Sequence, residues 1–412
     1  MNAEENAESE ILEYLHISQQ RRWIFPRAAL VGACAGIVAL LFRALLAGGD
    51  AVRNAMLDWA HGFPAFGWIF PILFTMAGAA LAVAITRRFA PEAAGSGIPH
   101  LEAVLHRLRQ LNWKRVLPVK LIGGTLALGS GLMLGREGPT VQMGGAVGDA
   151  VSRLLNVSEQ ERLTLISAGA GAGLAAAFNA PLSGLVFVLE EVRRDFQPIV
   201  FGAAFVAAVI ADIIARVGSG QMPVFAIPGY ETPPLTALPV FALLGIAAGG
   251  LGVLFNRGLM VSIKTYAKLA PRYAVLAAAI TGGIVGLVGW FSPTLIGGGH
   301  ALSEIVLKGE MALAAIPLFF AVRFALTLMS YGTGAPGGIF APLLVLGALL
   351  GLAIGQLAHM VFPSAAPVPA VFAVVGMAAY FTAIVRAPLT GIMLIIEMTG
   401  NYSLMLPLLV SC

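Results

Sequence analysis

The chain has 412 residues, of which 58% are hydrophobic and only 11% are charged. A soluble globular domain carries about 25% charged residues, and a membrane span needs about 20 mostly apolar residues. Apolar runs such as 28–42 and 70–85 recur along the whole chain, so the composition excludes a soluble protein and predicts an all-α polytopic membrane protein. The net charge of +4 is small and scattered between apolar stretches, which gives no argument for a nucleic-acid partner.

The N-terminal segment begins with the acidic sequence MNAEENAESEILEYLH and lacks the pattern of a signal peptide. We predict that residues 1–27 form a cytoplasmic N-terminal helix and that insertion depends on the first span. Arg21, Arg22 and Arg27 precede that span, and cations near span ends favour the cytoplasmic side. These residues predict a multi-pass protein of the inner (plasma) membrane with its N-terminus in the cytoplasm.

Three pairs of segments match each other in the same order along the two parts of the chain. Their aligned residues are Glu102 and Glu304, Pro139 and Pro342, and Pro181 and Pro388, at offsets of 202, 203 and 207. Chance recurrence of Gly, Ala and Pro would not keep three pairs in order at nearly one offset, so the pattern predicts a duplication. We therefore expect two membrane repeats, residues 28–215 and 235–412, joined by a linker at 216–234.

Three segments with Gly and Pro interrupt the apolar runs, at 95–99 (GSGIP), 135–139 (GREGP) and 337–342 (GGIFAP). Glycine frees the backbone, and a proline after the break suits the first turn of a new helix. Each segment therefore predicts a loop and a helix N-terminus at membrane depth, where transporters place their sites. Several N-termini aimed at one point would bind an anion through unpaired N–H groups. The alternative is that the breaks only serve close helix packing.

Glu137 lies in the middle of the second segment, where a carboxylate at membrane depth costs about 2.5–3.5 kcal/mol on insertion scales. It follows a glycine break, so helix N-termini can stabilise its negative form. Because a carboxylate is itself an anion, it can occupy the site of the transported anion and leave that site when it is protonated. Glu137 is thus predicted to be both a gate and a proton carrier. The alternative is a structural ion pair with Arg136.

Three further charged residues lie at or within apolar runs. Glu190 and Glu191 end the run GLVFVLEE. One of the two can be a solvated helix end and the other could accept protons from the cytoplasm, but their positions do not decide which. Lys120 lies inside an apolar span, where it either attracts anions by its field or pairs or snorkels to the membrane surface.

At these segments the chain resembles the CLC family of chloride channels and proton/chloride exchangers. The resemblance rests on the three broken segments together with AAAFNAPLSGLVFVLEE at 175–191 and VRAPLTGIMLIIEMTGNY at 385–402, in family order. It implies a CLC-type fold of two inverted-topology repeats with many short, tilted, broken helices. It also implies the prokaryotic type without CBS domains, and a homodimer with one pathway in each subunit.

The resemblance implies a role for each residue that matches a family motif. Chloride would be bound by the Ser96 hydroxyl, by the backbone N–H groups of Ile339 and Phe340, and by the phenol of Tyr402, which would close the inner side. Glu137 would be the external gate and proton acceptor, and Glu191 the internal proton-transfer residue. The supporting positions are Gly135, Arg136, Gly138 and Lys120.

Exchange of chloride against protons is the favoured function, because family channels commonly lack the internal glutamate that matches Glu191. Passive chloride conduction on the same fold is the alternative. An enzyme is not expected, since the six histidines are scattered and neither an HExxH nor a GxSxG motif occurs. We expect no cofactor and no metal, and the expected partners are chloride, protons and membrane lipid.

Overall fold

The computed structural model describes residues 3–412 except positions 64, 222, 226, 228 and 365, with side chains described from Trp23 onward apart from positions 219 and 271. Within these residues the chain forms helices and no strand, which confirms the all-α class. The helices are α1 (Ala3–His61), α2 (Ile69–Phe89), α3 (Ile98–Leu105), α4 (Trp113–Gly129), α5 (Glu137–Leu154), α6 (Glu159–Phe178), α7 (Pro181–Phe187), α8 (Pro198–Ser219), α9 (Leu238–Ala267), α10 (Pro271–Phe291), α11 (His300–Leu307), α12 (Ile316–Gly332), α13 (Phe340–Val361), α14 (Pro369–Val385), α15 (Pro388–Thr399) and α16 (Met405–Ser411).

Six stretches of the described chain are long and apolar enough to cross a membrane. They are Trp23–His61, Ile69–Phe89, Pro198–Gly218, Leu235–Ala267, Arg272–Phe291 and Phe340–Val361. Other apolar helices are too short for a full crossing, which takes about 20 residues; α7, for example, has 7. The protein is therefore a multi-pass helical membrane protein in which long spans alternate with short, broken helices.

The first helix is longer than the sequence predicted. The expected N-terminal helix at 1–27 and the first span are parts of one continuous α1, which passes through Pro26. Membrane helices tolerate proline because neighbouring groups satisfy the freed backbone. At the predicted linker, α8 runs to Ser219 and a short 3₁₀ turn at Leu235–Ala237 leads into α9. The first residues of the segment 216–234 are therefore still helical.

The same order of elements occurs twice along the described chain. α3 and α11 have 8 residues each, and the helices that follow them, α4 and α12, have 17 each. Short 3₁₀ turns precede α3 and α11, at Pro91–Ala93 and Pro293–Leu295. Each of the two short helices begins after a left-handed glycine, Gly97 with φ 81° and Gly299 with φ 87°. Residues with a Cβ rarely adopt this conformation, so the glycines are required at both breaks.

Glycines also allow two pairs of helices to approach closely. A Cβ at Gly144 of α5 would lie 2.1 Å from the carbonyl oxygen of Gly169 in α6. In the corresponding pair, a Cβ at Gly347 of α13 would lie 2.3 Å from the carbonyl oxygen of Gly376 in α14. Small residues at such contacts permit the van der Waals packing that holds membrane helices together. These two crossings form much of the buried interior and hold the N-termini of α5 and α13 in place.

We predict that Gly347→Ala destabilises the protein by about 1–3 kcal/mol, because overpacking forces α13 and α14 apart. Gly249 in α9 is the matched control, since a Cβ there meets nothing within 4 Å. Gly249→Ala should leave stability unchanged or raise it by up to about 1 kcal/mol through helix propensity. The measurement is the thermal unfolding midpoint of the purified protein in detergent. A Gly347→Ala variant that melts at or above the wild-type temperature would contradict the close-crossing account.

Candidate functional site

The three broken segments meet at one place in the protein. The amide N–H of Gly337 donates to the carbonyl of Gly95 at 2.9 Å. Gly135 and Gly338 exchange two backbone hydrogen bonds, each of 2.7 Å. Because each of these loops leads directly into a helix, the N-termini of α3, α5 and α13 lie together around the joined loops. The unpaired N–H groups and the partial positive charge of helix N-termini make this an anion-binding environment.

Glu137 is the first residue of α5 and lies at this meeting point with only 3% of its surface exposed. Its Oε2 accepts a hydrogen bond from the amide N–H of Ala341 in the first turn of α13, at 3.4 Å. A Cβ on Gly135 would lie 2.2 Å from the same Oε2. The carboxylate therefore lies over a glycine that leaves room for it, between the N-termini of α5 and α13.

The neighbours of Glu137 position the loop rather than neutralise its carboxylate. The Arg136 guanidinium donates to the carbonyl of Ala177 near the end of α6, at 3.1 Å. No ion pair among the described side chains joins Arg136 to Glu137. On the other side, a Cβ at Gly138 would lie 2.6 Å from the Cβ of Ser96. Glycine at 138 thus allows the loop before α3 to approach the start of α5.

Ser96 is buried beside this contact, and the hydroxyl of another residue lies next to its own. The phenol of Tyr331, near the end of α12, donates to the Ser96 Oγ at 3.4 Å. A Cβ at Gly95 would lie 3.1 Å from the same phenol oxygen. Ser96 and Tyr331 therefore present two hydroxyls side by side at the loop before α3. No sequence pattern points to Tyr331, because nothing in its local sequence links it to a residue so far away along the chain.

Ile339 and Phe340 lie at the start of α13, as its N-cap and its first helical residue. Amide groups at these positions have no partner within their own helix. The Phe340 ring is buried and packs edge-on against the rings of Phe187 and Phe381, with centroid distances of 5.9 and 4.8 Å. This packing holds the first turn of α13 in place beside the joined loops.

Tyr402 makes no hydrogen bond to these residues within the described chain. It begins a short 3₁₀ turn after α15, and 66% of its surface is exposed. Gly400, with φ 69°, ends α15 in a left-handed conformation, and α16 then continues against α9, α14 and α15. The role of Tyr402 at the inner end of the anion site stays a prediction. The phenol that the structure places on Ser96 belongs to Tyr331.

Lys120 pairs with backbone groups instead of snorkelling. Its Nζ is fully buried and donates to the carbonyls of Ala93 and Gly95, at 2.8 and 2.7 Å. Arg323, which follows Lys120 at the repeat offset of 203, makes the same contacts in the second half. Its guanidinium donates to the carbonyls of Leu295 and Gly297, at 2.8 and 2.9 Å. Each cation holds the loop that precedes a short helix. The repeat offset is the sequence signal that could have revealed Arg323.

Glu190 is a helix cap and not a solvated helix end. Its carboxylate accepts from the N–H groups of Leu389 and Thr390 at the start of α15, at 3.0 and 2.7 Å. Glu397 of α15 makes the reciprocal contacts with Leu182 and Ser183 at the start of α7, also at 3.0 and 2.7 Å. The two carboxylates tie α7 and α15 together. This arrangement accounts for Glu190 and leaves Glu191 as the free member of the pair.

Glu191 lies in the short π-helical turn Val188–Val192 that follows α7. Its side chain is mostly buried and forms a weak ion pair with Arg194 at 3.6 Å. The carboxylate of Glu102 in α3 interacts electrostatically with it. The helix that carries Glu102 begins at the loop of Ser96. The short helix α3, which carries Glu102, therefore links the neighbourhood of Glu191 to the meeting point of the broken segments.

Comparison with known proteins agrees with these features. The family model described as "Voltage gated chloride channel" matches residues 78–412 of the chain. A relative from Vibrio parahaemolyticus, named H(+)/Cl(−) exchange transporter ClcA, is 44% identical over 392 residues, which make up 93% of this chain and 84% of that protein. A relative with the same name from Cronobacter sakazakii is 41% identical over 392 residues, with the same shares of the two chains.

Solved structures agree on the fold. The crystal structure of a slow cyanobacterial Cl−/H+ antiporter matches with a TM-score of 0.91 and 38% identity, over 94% of this chain and 92% of that chain. The crystal structure of a CLC-type fluoride/proton antiporter matches with a TM-score of 0.79 over 94% of both chains; at 19% identity it shares the fold alone. The chain belongs to the voltage-gated chloride channel family, the CLC family, and has its fold.

Proposed function

We propose that this protein is a secondary antiporter that exchanges chloride for protons across the inner membrane of a bacterium. The observation that carries the proposal is the buried carboxylate of Glu137, which accepts its hydrogen bond from a helix N-terminus and has no cation as an ion-pair partner among the described residues. The relatives named as H(+)/Cl(−) exchange transporters and the solved Cl−/H+ antiporter support it.

The anion site is formed by groups that bind chloride with partial charges. The Ser96 hydroxyl and the N–H groups of Ile339 and Phe340 are the ligands, and the Tyr331 hydroxyl donates to the Ser96 oxygen, which leaves the Ser96 proton for chloride. Partial charges hold an anion strongly enough to admit it and weakly enough to release it. Lys120 contributes indirectly, because it holds the loop that carries Ser96.

The gate is a competition between two anions for the same N–H groups. When ionised, the Glu137 carboxylate occupies the space over Gly135 at the start of α5 and excludes chloride from it. When protonated, it loses the negative charge that the helix N-termini favour, and chloride replaces it. Each exchange of occupant therefore moves a proton with the glutamate, which couples the two ions.

Protons reach this point from the inner side through Glu191. Passive chloride conduction would need no such residue, because an anion channel moves no protons. Glu190 cannot supply the same path, since its carboxylate is bound to the N-terminus of α15. The half-buried Glu191, next to the carboxylate of Glu102, is the group that favours exchange over conduction.

The proposal also covers the repeats of the chain, its orientation in the membrane and its oligomeric state. The matching order of elements supports two repeats, residues 28–215 and 235–412, joined by the segment 216–234. The cations Arg21, Arg22 and Arg27 before the first span favour a cytoplasmic N-terminus. We also infer a homodimer, as the resemblance to the CLC family implies, in which each subunit has its own pathway because the whole site is built from one chain.

Glu137→Gln is predicted to abolish proton movement and to leave chloride flux intact, because a neutral amide neither carries a proton nor competes as an anion. The measurement is proton uptake and chloride efflux in liposomes that contain the purified protein under a chloride gradient. The wild type should move protons uphill. If the wild type conducts chloride without proton movement, the antiporter proposal is wrong and the channel alternative stands.

Glu191→Gln should also stop proton movement while sparing chloride flux. Its neighbour provides the control. Glu190→Gln weakens the cap on α15, which costs about 0.5–2 kcal/mol of stability, but should keep the wild-type ratio of protons to chloride. Flux ratio and melting temperature are measured for both variants. A Glu190→Gln variant that loses proton coupling while Glu191→Gln keeps it would reverse the assignment.

Tyr331→Phe removes only a hydroxyl and should weaken chloride binding about fivefold, since one hydrogen bond contributes about 1 kcal/mol. Ser96→Ala should weaken binding at least as much. The control is Tyr380→Phe, because the Tyr380 hydroxyl is buried and has no hydrogen-bond partner among the described residues. Chloride affinity is measured by isothermal titration calorimetry. Unchanged affinity in Tyr331→Phe would remove this residue from the site.

A further inference from the structure

A cavity of about 650 Å³ lies between the end of α2 and the first three turns of α4, away from the anion site. Its polar end is formed by three cations, Arg88 from α2 and Lys114 and Arg115 from α4. Its apolar wall includes Ile85, Phe89 and Ile122. We refer to it as the α2–α4 groove. The anion pathway proposed above uses none of these residues.

The α2–α4 groove is charged at one end and apolar toward the other, as a membrane is charged at its surface and apolar inside. The cations occupy the last turn of α2 and the first turn of α4, so they lie at the same end of this helix pair. Ile122 follows Lys114 by eight positions, which is about 12 Å along a helix. Phe89 and Ile122 are both exposed at the surface of the protein. The charged end thus bears Phe89 beside its cations and continues into an apolar surface that includes the exposed Ile122.

The cations at the mouth are not neutralised by the protein. None of the ion pairs among the described side chains includes Arg88, Lys114 or Arg115. The Lys114 ammonium lies 5.7 Å from the centre of the neighbouring Trp113 ring, and tryptophan is enriched where a membrane meets water. Three unpaired cations at this level attract anionic lipid headgroups, at about 1 kcal/mol each.

Another basic cavity of the protein does not have these properties. Its volume is about 390 Å³, and Glu159 lines it together with Arg153 and Arg162. Both of those arginines are already paired with the buried carboxylate of Asp149, at 3.0 and 2.6 Å. Arg107 and Arg109 also line this cavity and form no ion pair among the described side chains, but its lining is polar apart from Val104. The α2–α4 groove combines unpaired cations with a long apolar wall.

We propose that the α2–α4 groove binds an anionic phospholipid. The phosphate of the headgroup is held by Arg88, Lys114 and Arg115, and an acyl chain lies along Ile85, Phe89 and Ile122. A soluble phosphate would satisfy the cations but would leave the apolar wall without a partner. A neutral lipid would cover the wall but would leave the cations unpaired. Only an anionic lipid matches both ends of the groove.

The first test is native mass spectrometry of the full chain after incubation with equal amounts of phosphatidylglycerol and phosphatidylcholine. The wild type should retain phosphatidylglycerol in preference. The variant Arg88→Gln/Lys114→Gln/Arg115→Gln should retain it at least about tenfold less. The control Lys264→Gln/Lys268→Gln/Lys308→Gln removes the same charge from exposed lysines outside the groove and should behave as wild type. Equal retention of the two lipids, or an equal loss in the control, overturns the proposal.

The second test separates a lipid from a free phosphate without changing any charge. Ile122→Trp fills the apolar wall, whereas Leu81→Trp places the same ring on α2 outside the groove; both residues are 52% exposed. Phosphatidylglycerol retention should fall in Ile122→Trp only. Glycerol 3-phosphate is the soluble probe and should not displace the lipid. Displacement by glycerol 3-phosphate, together with wild-type retention in Ile122→Trp, would assign the cations to a soluble phosphate instead.

Discussion

This structure depends on one constraint: backbone N–H and C=O groups inside a hydrocarbon layer need hydrogen-bond partners. Each group without a partner costs several kcal/mol, yet α3, α5 and α13 all begin within the interior. The loops before them satisfy part of this need by bonding to each other, as Gly95 does with Gly337 and Gly135 with Gly338. The N–H groups that remain at the helix starts favour an anion. In the proposed mechanism either chloride or the carboxylate of Glu137 satisfies them, and the gate follows from this competition.

Elsewhere in the fold, charged side chains provide hydrogen-bond partners for backbone groups. Lys120 and Arg323 donate to carbonyls of the two loops before short helices. Glu190 and Glu397 accept from the N–H groups of α15 and α7. Each charge is thus bound to the polar end of an interrupted element, where its desolvation is offset. Because these charges are engaged with the backbone, the anion site itself is left with partial charges, which suits rapid release.

The sequence predicted the parts of the site that have local signals. A Gly–Pro break marks a helix start wherever the helix later packs, so Ser96, Glu137 and the start of α13 were found before their distances were known. The resemblance at 385–402 points to Tyr402, whereas no local pattern points to Tyr331, whose contact with Ser96 arises only from the fold. The roles of Glu190 and Glu191 were within reach of the sequence. At the repeat offset of 207, Glu190 aligns with Glu397, whereas Glu191 aligns with Met398 and is the member without a counterpart.

The relation between the halves explains why the site holds a single carboxylate. Gly135 and Gly338 are counterparts at the repeat offset of 203, and they exchange both of their backbone hydrogen bonds with each other. A residue that pairs with its own counterpart lies on the pseudo-two-fold axis that relates the two repeats. Glu137 and Phe340, also 203 apart, are the first residues of α5 and α13 on either side of it. Duplication supplied two facing helix N-termini, and divergence put a proton-carrying anion on one and a buried aromatic ring on the other. Two carboxylates there would repel each other and would compete for the same N–H groups, so in the proposed mechanism the asymmetry allows one anion site to be opened and closed by one proton.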